Sequence, residues 1–464
     1  FPYTTLFRSC ARLGVIRILY ALKVVQYLLD RLIPLSKLGF AGQVLIGVFA
    51  AAMMGCQPLP PEPDMASRET AAKSALAAEL NLAKAEGIIT SLEDMKAWVP
   101  AIPPDRNAAP FYRRLSNGTK KAGDSSFYTK LYSGEPAAVE LARQILVEQA
   151  SDLALIDEAV ARPNLWFDRE FEMGWGVLKP ELAKMKAAVR LLLLRAAVAR
   201  LSGRPEDAIN DQNKALVIAE HLEQEKGLIE LLVGNACRAL VRHQVLTWAV
   251  NLAEDARWVG QLEALASNWP VFTQRDVLRP SLYEVLTTMD LCSTKEGRLK
   301  LGYKEEQIEE NNLMRNLMLQ MQTPSEARLK IVQAYRGVWK EAAKASLLKA
   351  TDLDKHDRLL WGGLIIEPEA RFIYESLDSE GSFFFEQLGA ARASASAKTL
   401  TLAASKILKR PDFQPGVAVQ NIKSPADGLP IRVLQSQKGT LLHLVDDPED
   451  RAWSSLLIPS RNQS

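Results

Sequence analysis

The chain has 464 residues, 48% hydrophobic and 24% charged, with a formal net charge of +2. That composition excludes an intrinsically disordered chain. Phe1–Cys56 carries six basic residues and one acid, which leaves 51 basic against 54 acidic residues, a net of −3, in the remainder. A near-neutral body argues against a nucleic-acid-binding surface, which needs concentrated positive charge.

Phe1–Ser9, FPYTTLFRS, reads as the in-frame translation of a sequencing adapter and is set aside. Residues 10–56 form a basic flank followed by an apolar segment. Arg12, Arg17, Lys23, Arg31 and Lys37 stand against Asp30, and the uncharged run Leu38–Cys56 follows. Basic residues, an apolar stretch and a small-residue Gly55-Cys56 end give the layout of a bacterial export signal. Two anchors fit it: lipidation of Cys56, or an uncleaved membrane helix. Either places the body in the bacterial cell envelope, facing away from the cytoplasm, with the membrane as its first partner. A misread signal leaves a cytoplasmic helical-repeat protein. The Pro-rich stretch 57–64 is a spacer.

Residues 65–410 read as a helical domain. Asp64 caps a helix that Gly87 stops. Thr90 and Glu93 mark a short helix ended by Pro100. One long helix is expected from Pro136 to about Ala161, on the spacing of Val139, Ile145, Leu146, Leu153, Ile156 and Val160. ARPNLWFDREFEMGWG interrupts it. Next comes a hairpin: PELAKMKAAVRLLLLRAAVARL, a Ser202-Gly203-Arg204 turn, and a second helix opened by Pro205. Small alanines and the short turn give it a tetratricopeptide-like look, without a 34-residue period along the chain. A third helix follows Gly227, and further helices are expected at 257–267, 279–293, 304–320, 325–349 and 383–408. Residues 411–464 change character: VAVQNI, LPIRVLQSQ and GTLLHLV are strand-like runs, the last two joined by a turn at Ser436–Gly439. The fold class expected is therefore mainly α, an irregular array of antiparallel helical hairpins with a small C-terminal β-hairpin element.

Candidate chemistry is sparse. Trp166, Asp168, Glu170, Glu172 and Trp175 place carboxylates among aromatics, the furniture of sugar-processing sites and equally of a charged loop beside a hydrophobic plug. Cys237 and Cys292 either form one disulfide in an oxidising envelope or stay as buried thiols. Asp446, Asp447, Glu449 and Asp450 cluster without calcium-loop spacing. His221, His243, His356 and His443 are scattered and no Cys-x-x-Cys pair exists, so neither metal nor cofactor is expected.

Three segments carry a resemblance: IPPDRNAAPFYRRL (Ile102–Leu115), ARPNLWFD followed by the hairpin sequence above, and SPADGLPIRV (Ser424–Val433) with GTLLHLVDDPED behind it. In these the chain resembles a family of uncharacterised exported α-helical proteins of planctomycete-type environmental bacteria. The resemblance implies a helical body and a weakly pseudopilin-like tail, here through Pro425, Asp427, Gly428 and Pro430 but without glycines after Asp447. It implies no catalytic residues. The expectation is a non-catalytic, envelope-tethered scaffold or protein- or peptide-binding protein, not an enzyme. The alternative is a hydrolase acting on envelope glycan or peptide near Trp166–Trp175.

Overall fold

The protein is mainly helical, with fifteen α-helices among the described residues and a three-stranded antiparallel sheet near the C-terminus. The computed structural model describes residues 64–98, 101–116, 125–168, 171–176, 179–225, 227–252, 255–304, 315–316, 318–319, 322–344, 350–366, 383–409, 419, 421–425, 429–444 and 455–459. The expected anchor, Cys56, Glu170 and the acidic cluster of 446–450 lie outside them, as does most of the helix expected at 304–320. The chain divides into two units, Phe1–Ser67 and Arg68–Ser464. The described residues from Arg68 onward belong to the second.

The helices are α1 (Met65–Ala85), α2 (Leu92–Trp98), α3 (Ala109–Arg114), α4 (Ser125–Tyr132), α5 (Pro136–Glu148), α6 (Ala150–Val160), α7 (Pro180–Leu201) and α8 (Pro205–Gln224). After them come α9 (Leu228–Asn251), α10 (Ala256–Ser267), α11 (Gln274–Cys292), α12 (Lys295–Lys300), α13 (Pro324–Ala342), α14 (Ala350–Leu364) and α15 (Phe383–Lys409). Strands β1 (Arg432–Ser436), β2 (Gly439–His443) and β3 (Ser455–Pro459) pair in chain order.

Local chemistry sets many of the ends. At Gly203 (φ 75°) the Gly203 amide donates to Arg200 O and the Arg204 amide to Ala199 O, a Schellman ending that turns α7 into α8. α11 and α13 each open on a capping box, Thr273 with Asp276 and Thr323 with Glu326.

Two hydrophobic clusters fill the fold. The main one gathers α3 to α10, the C-terminal half of α15 (Ala397, Leu400, Ala403, Ala404, Ile407) and the inner face of the sheet (Leu442, Ile458). The second joins Ala83 of α1 and the first turn of α9 (Leu228, Leu231) to α11, α13, α14 and the N-terminal half of α15 (Phe384, Leu388, Ala390, Ala391). Helices α9 and α15 thus run through both. Asn235 stands where they meet: its amide donates to Ala390 O (3.2 Å) and accepts from Trp269 Nε1 (3.4 Å).

Several boundaries differ from expectation. The helix expected from Pro136 to Ala161 is two, parted at Gln149 (φ −103°, ψ 19°). α11 starts at Gln274, not 279; Pro280 lies inside it, and the capping box fixes the turn that precedes the proline. α13 ends at Ala342, and α14 and α4 form where no helix was expected. VAVQNI supplies no strand among the described residues: Val419 and Ile422 plug the main cluster, with the Ile422 amide donating to Val419 O (2.8 Å). The second hairpin partner is joined instead by β3. The β tail is not a separate body, since Ile431, Leu442, Leu444 and Ile458 share the helical core.

Candidate functional site

The aromatic loop after α6 is stapled at nearly every residue. Asn107 Oδ1 accepts from the amides of Ala109 (3.0 Å) and Trp166 (3.0 Å), and its Nδ2 donates to Trp166 O (2.8 Å). The same side chain therefore satisfies the first amide of α3 and holds the loop. From the end of α8, Gln224 accepts from the Leu165 amide (2.8 Å) and Glu225 from the Phe167 amide (2.7 Å). Leu165 and Phe167 are buried in the main cluster, so this part of the loop plugs the core. Trp166 is half-buried and stacks on Phe171, their centroids 5.7 Å apart.

The carboxylates beside it point to water. Asp168 is exposed, and its backbone oxygen accepts from Arg113 Nη2 (3.2 Å). Glu172 is exposed and paired with Lys96 at 3.1 Å. A backbone N–H and Lys96 hold its carboxyl below the usual range. That environment favours an ion, whereas the general acid of a glycosidase needs a raised carboxyl. Trp175 lies in the short 3₁₀ turn Phe171–Gly176, and its side chain is outside the described residues.

A half-open cleft with room for about one water lies nearby, lined by Leu115, Ser116, Asp152, Ile156, Lys184 and Leu191. It is smaller than the several-hundred-Å³ sites that enclose small ligands. Its polar groups serve the fold: Ser116 donates both its hydroxyl and its amide to Asp152, and Lys184 donates to Arg113 O (2.9 Å).

The titratable groups inside the main cluster are likewise committed to one another. His221 Nε2 lies 2.9 Å from Arg162 O, which can only accept, so Nε2 carries the hydrogen. Nδ1 then accepts from Tyr112 Oη at 2.9 Å. Burial lowers His221 to about 4 and raises Tyr112. Arg238 grips Glu223 through two bonds of 2.7 and 2.8 Å, both residues buried; burial raises Glu223 against the pull of that guanidinium. Gln212 donates to Gln244 (2.9 Å), which donates to Leu193 O (2.8 Å). Arg195 of α7 bonds Asp157 of α6 and Asp211 of α8. Cys237 and Cys292 are both buried, Cys237 in the main cluster and Cys292 in the second, and the disulfide weighed from the sequence does not join them. Burial pushes the Cys237 thiol up to about 12, the inert rather than the reactive direction.

The outer face of the sheet has a different character. Register sets Leu434 of β1 opposite Leu441 of β2, and Leu441 opposite Leu457 of β3. Leu434 is 51% and Leu457 41% exposed. The three make an apolar row across all strands, while the opposite face (Leu442, Ile458) is buried. Arg432, two residues before Leu434 on β1, and Lys438, in the β1–β2 turn, are both exposed. The sequence reading missed this row, although the Ser436–Gly439 turn implies the 434–441 pairing. β3 was not expected, although Asp447-Pro448 in the acidic cluster before it is a turn signal.

Among the described residues no helix is long and apolar enough to cross a membrane. Comparison of the chain with protein-family models, with curated proteins and with solved structures finds no match.

Proposed function

We propose that this chain is a non-catalytic helical scaffold of the cell envelope, tethered through Cys56 or an uncleaved Leu38–Cys56 segment, that docks a protein or peptide partner on the outer face of its C-terminal sheet. The resemblance to exported helical proteins and the layout of Leu38–Cys56 support the location. The observation that carries the binding role is the exposed Leu434–Leu441–Leu457 row, set on a sheet whose other face is anchored in the main core. Apolar rows of this kind, rimmed by polar groups, mark interaction surfaces. With Arg432 and Lys438 exposed on the same hairpin, the row suits a segment whose apolar side chains are flanked by carboxylates. The inward commitment of the buried histidine, tyrosine and arginine groups suits a rigid support.

The test is photo-crosslinking in a bacterial host. A benzophenone side chain replaces Leu434 or Leu457, with Val147, 77% exposed on α5, as control. Discrete adducts from 434 and 457, absent from 147 and lost when Leu441→Glu is added, are expected. Equal labelling from all three positions overturns the docking role. Palmitate labelling of the chain and of Cys56→Ser tests the tether.

A further inference from the structure

Most arginines of the folded unit that lie near a carboxylate hold one: Arg195, Arg238, Arg257 and Arg336 each pair with an acid within 4.0 Å or less. Arg275 and Arg279 of α11 depart from this pattern. They stand one helical turn apart, so their side chains leave the helix on one face. Both guanidiniums lie against a single ring, that of Trp339 on α13, with their central carbons 4.7 and 6.0 Å from its centroid. Trp339 is 3% exposed and the two arginines are half-buried. Neither makes an ion pair with a described acid, and both Nε atoms are buried without a hydrogen-bond partner.

The nearby acids are already committed. Glu86, next to the Gly87 that faces Trp339, is held by Arg336 and Lys340. Asp276 closes the Thr273 capping box, and Glu341 pairs with Lys344. Two like charges are therefore held together against one indole with no ion-pair partner among the described residues. A guanidinium that lies over an aromatic ring can keep N–H groups for a further partner. Arg275 also sits in the first turn of a 19-residue helix, where the backbone adds positive potential.

We infer that Arg275, Arg279 and Trp339 form a binding site for a phosphate group, either a soluble phosphate ester or a phosphorylated lipid headgroup. Two guanidiniums beside one ring, one helical turn apart, bring two cationic donors to the same place, and an arginine can meet a phosphate through two parallel bonds. The site is independent of the leucine row: it lies on α11 and α13, and its failure leaves the docking role untouched.

The test uses the full chain. Inorganic phosphate is titrated at constant ionic strength while the arginine Nε–H resonances are followed by ¹⁵N NMR. Saturable shifts of the Arg275 and Arg279 signals are expected, with affinity reduced about tenfold or more in Arg275→Gln and in Arg279→Gln. Arg275→Lys, which keeps the charge but not the fork, is expected to weaken binding as well. Circular dichroism of each variant separates loss of the site from loss of the fold. Flotation with phosphatidylcholine vesicles, with and without phosphatidic acid, then distinguishes the sources. Flotation that requires phosphatidic acid and Arg275 assigns a lipid headgroup; phosphate binding without flotation assigns a soluble ester. Absence of saturable binding, or binding in both glutamine variants as strong as in the native chain, overturns the inference.

Discussion

The interior of the main cluster and the attachment of α1 to the second are held by different physics. Inside the main cluster lie buried polar links: His221 between Tyr112 and Arg162 O, the Gln212–Gln244 ladder, and the Glu223–Arg238 pair. In the second, helix α1 buries only Ala72 and Ala83 and is laced to α13 by partly exposed charges. Arg68 bonds Glu326 (2.9 and 2.6 Å), and Glu69 accepts from Ser325 Oγ (2.8 Å). Arg336 reaches both Glu79 and Glu86, and Lys340 lies 3.5 Å from Glu86. Buried links are costly to break and indifferent to salt; exposed ion pairs are individually weak and easily screened. The comparison teaches that the helix nearest the expected tether is latched by charge, while the supporting body is locked by burial.

Breaking a buried link gives the largest effect. Arg238→Ala or Glu223→Ala strands a desolvated charge and is expected to cost about 3–5 kcal/mol in urea denaturation. The double variant Glu223→Leu/Arg238→Met is expected to recover most of that loss. Single variants that cost no more than an exposed pair would erase the distinction between the interior links and the attachment of α1.

The interior histidine gives the next effect, and its sign is fixed. The folded state holds His221 neutral down to about 4, whereas an unfolded histidine takes its proton near 6.5. Its contribution is complete above 6.5 and is lost as pH falls from 6.5 through about 4, a change on the order of 3 kcal/mol. Denaturation midpoints across that range should slope with pH in the native chain and flatten in Tyr112→Phe/His221→Leu. An unchanged slope in the double variant would place the titrating group elsewhere.

How much of this was legible in the sequence depends on the distance over which each feature is encoded. The α7–α8 hairpin is written locally, in Pro205 and the Gly203 turn, and both appear where expected. The β1–β2 hairpin is likewise local, its two-residue turn fixing the register. Features encoded at long range left no such mark. Arg68 and Glu326 are 258 positions apart, and Arg336 and Glu86 are 250 apart, so no spacing rule joins them. The loop around Trp166 reads as a possible site because its aromatics and acids adjoin in sequence. In the fold Leu165 and Phe167 turn inward while Asp168 and Glu172 face water. The arginine pair of α11 was hidden because the helix expected at 279–293 begins at Gln274, which brings Arg275 onto it one turn before Arg279.

The charge latch on α1 gives the smallest effect per interaction and the most direct test of a rigid body carrying an ionically held helix. Arg68 holds Glu326, and Arg336 holds Glu86, below the usual glutamate range; Glu69 is lowered too, Ser325 and Thr323 outweighing its burial. Their stabilisation is therefore present above the ordinary glutamate value of 4.5 and lost as pH falls below it. Each exposed pair is worth about 1 kcal/mol or less. Hydrogen exchange read by mass spectrometry, at pH 7 in low salt and in about 1 M NaCl, where screening acts within about 3 Å, isolates this latch. The account predicts faster exchange of the α1 amides in high salt, the same acceleration in Glu86→Gln/Glu326→Gln at low salt, and unchanged protection across α7, α8 and α9. Equal protection of α1 in both salts, or loosening of α7 to α9 together with α1, would contradict it.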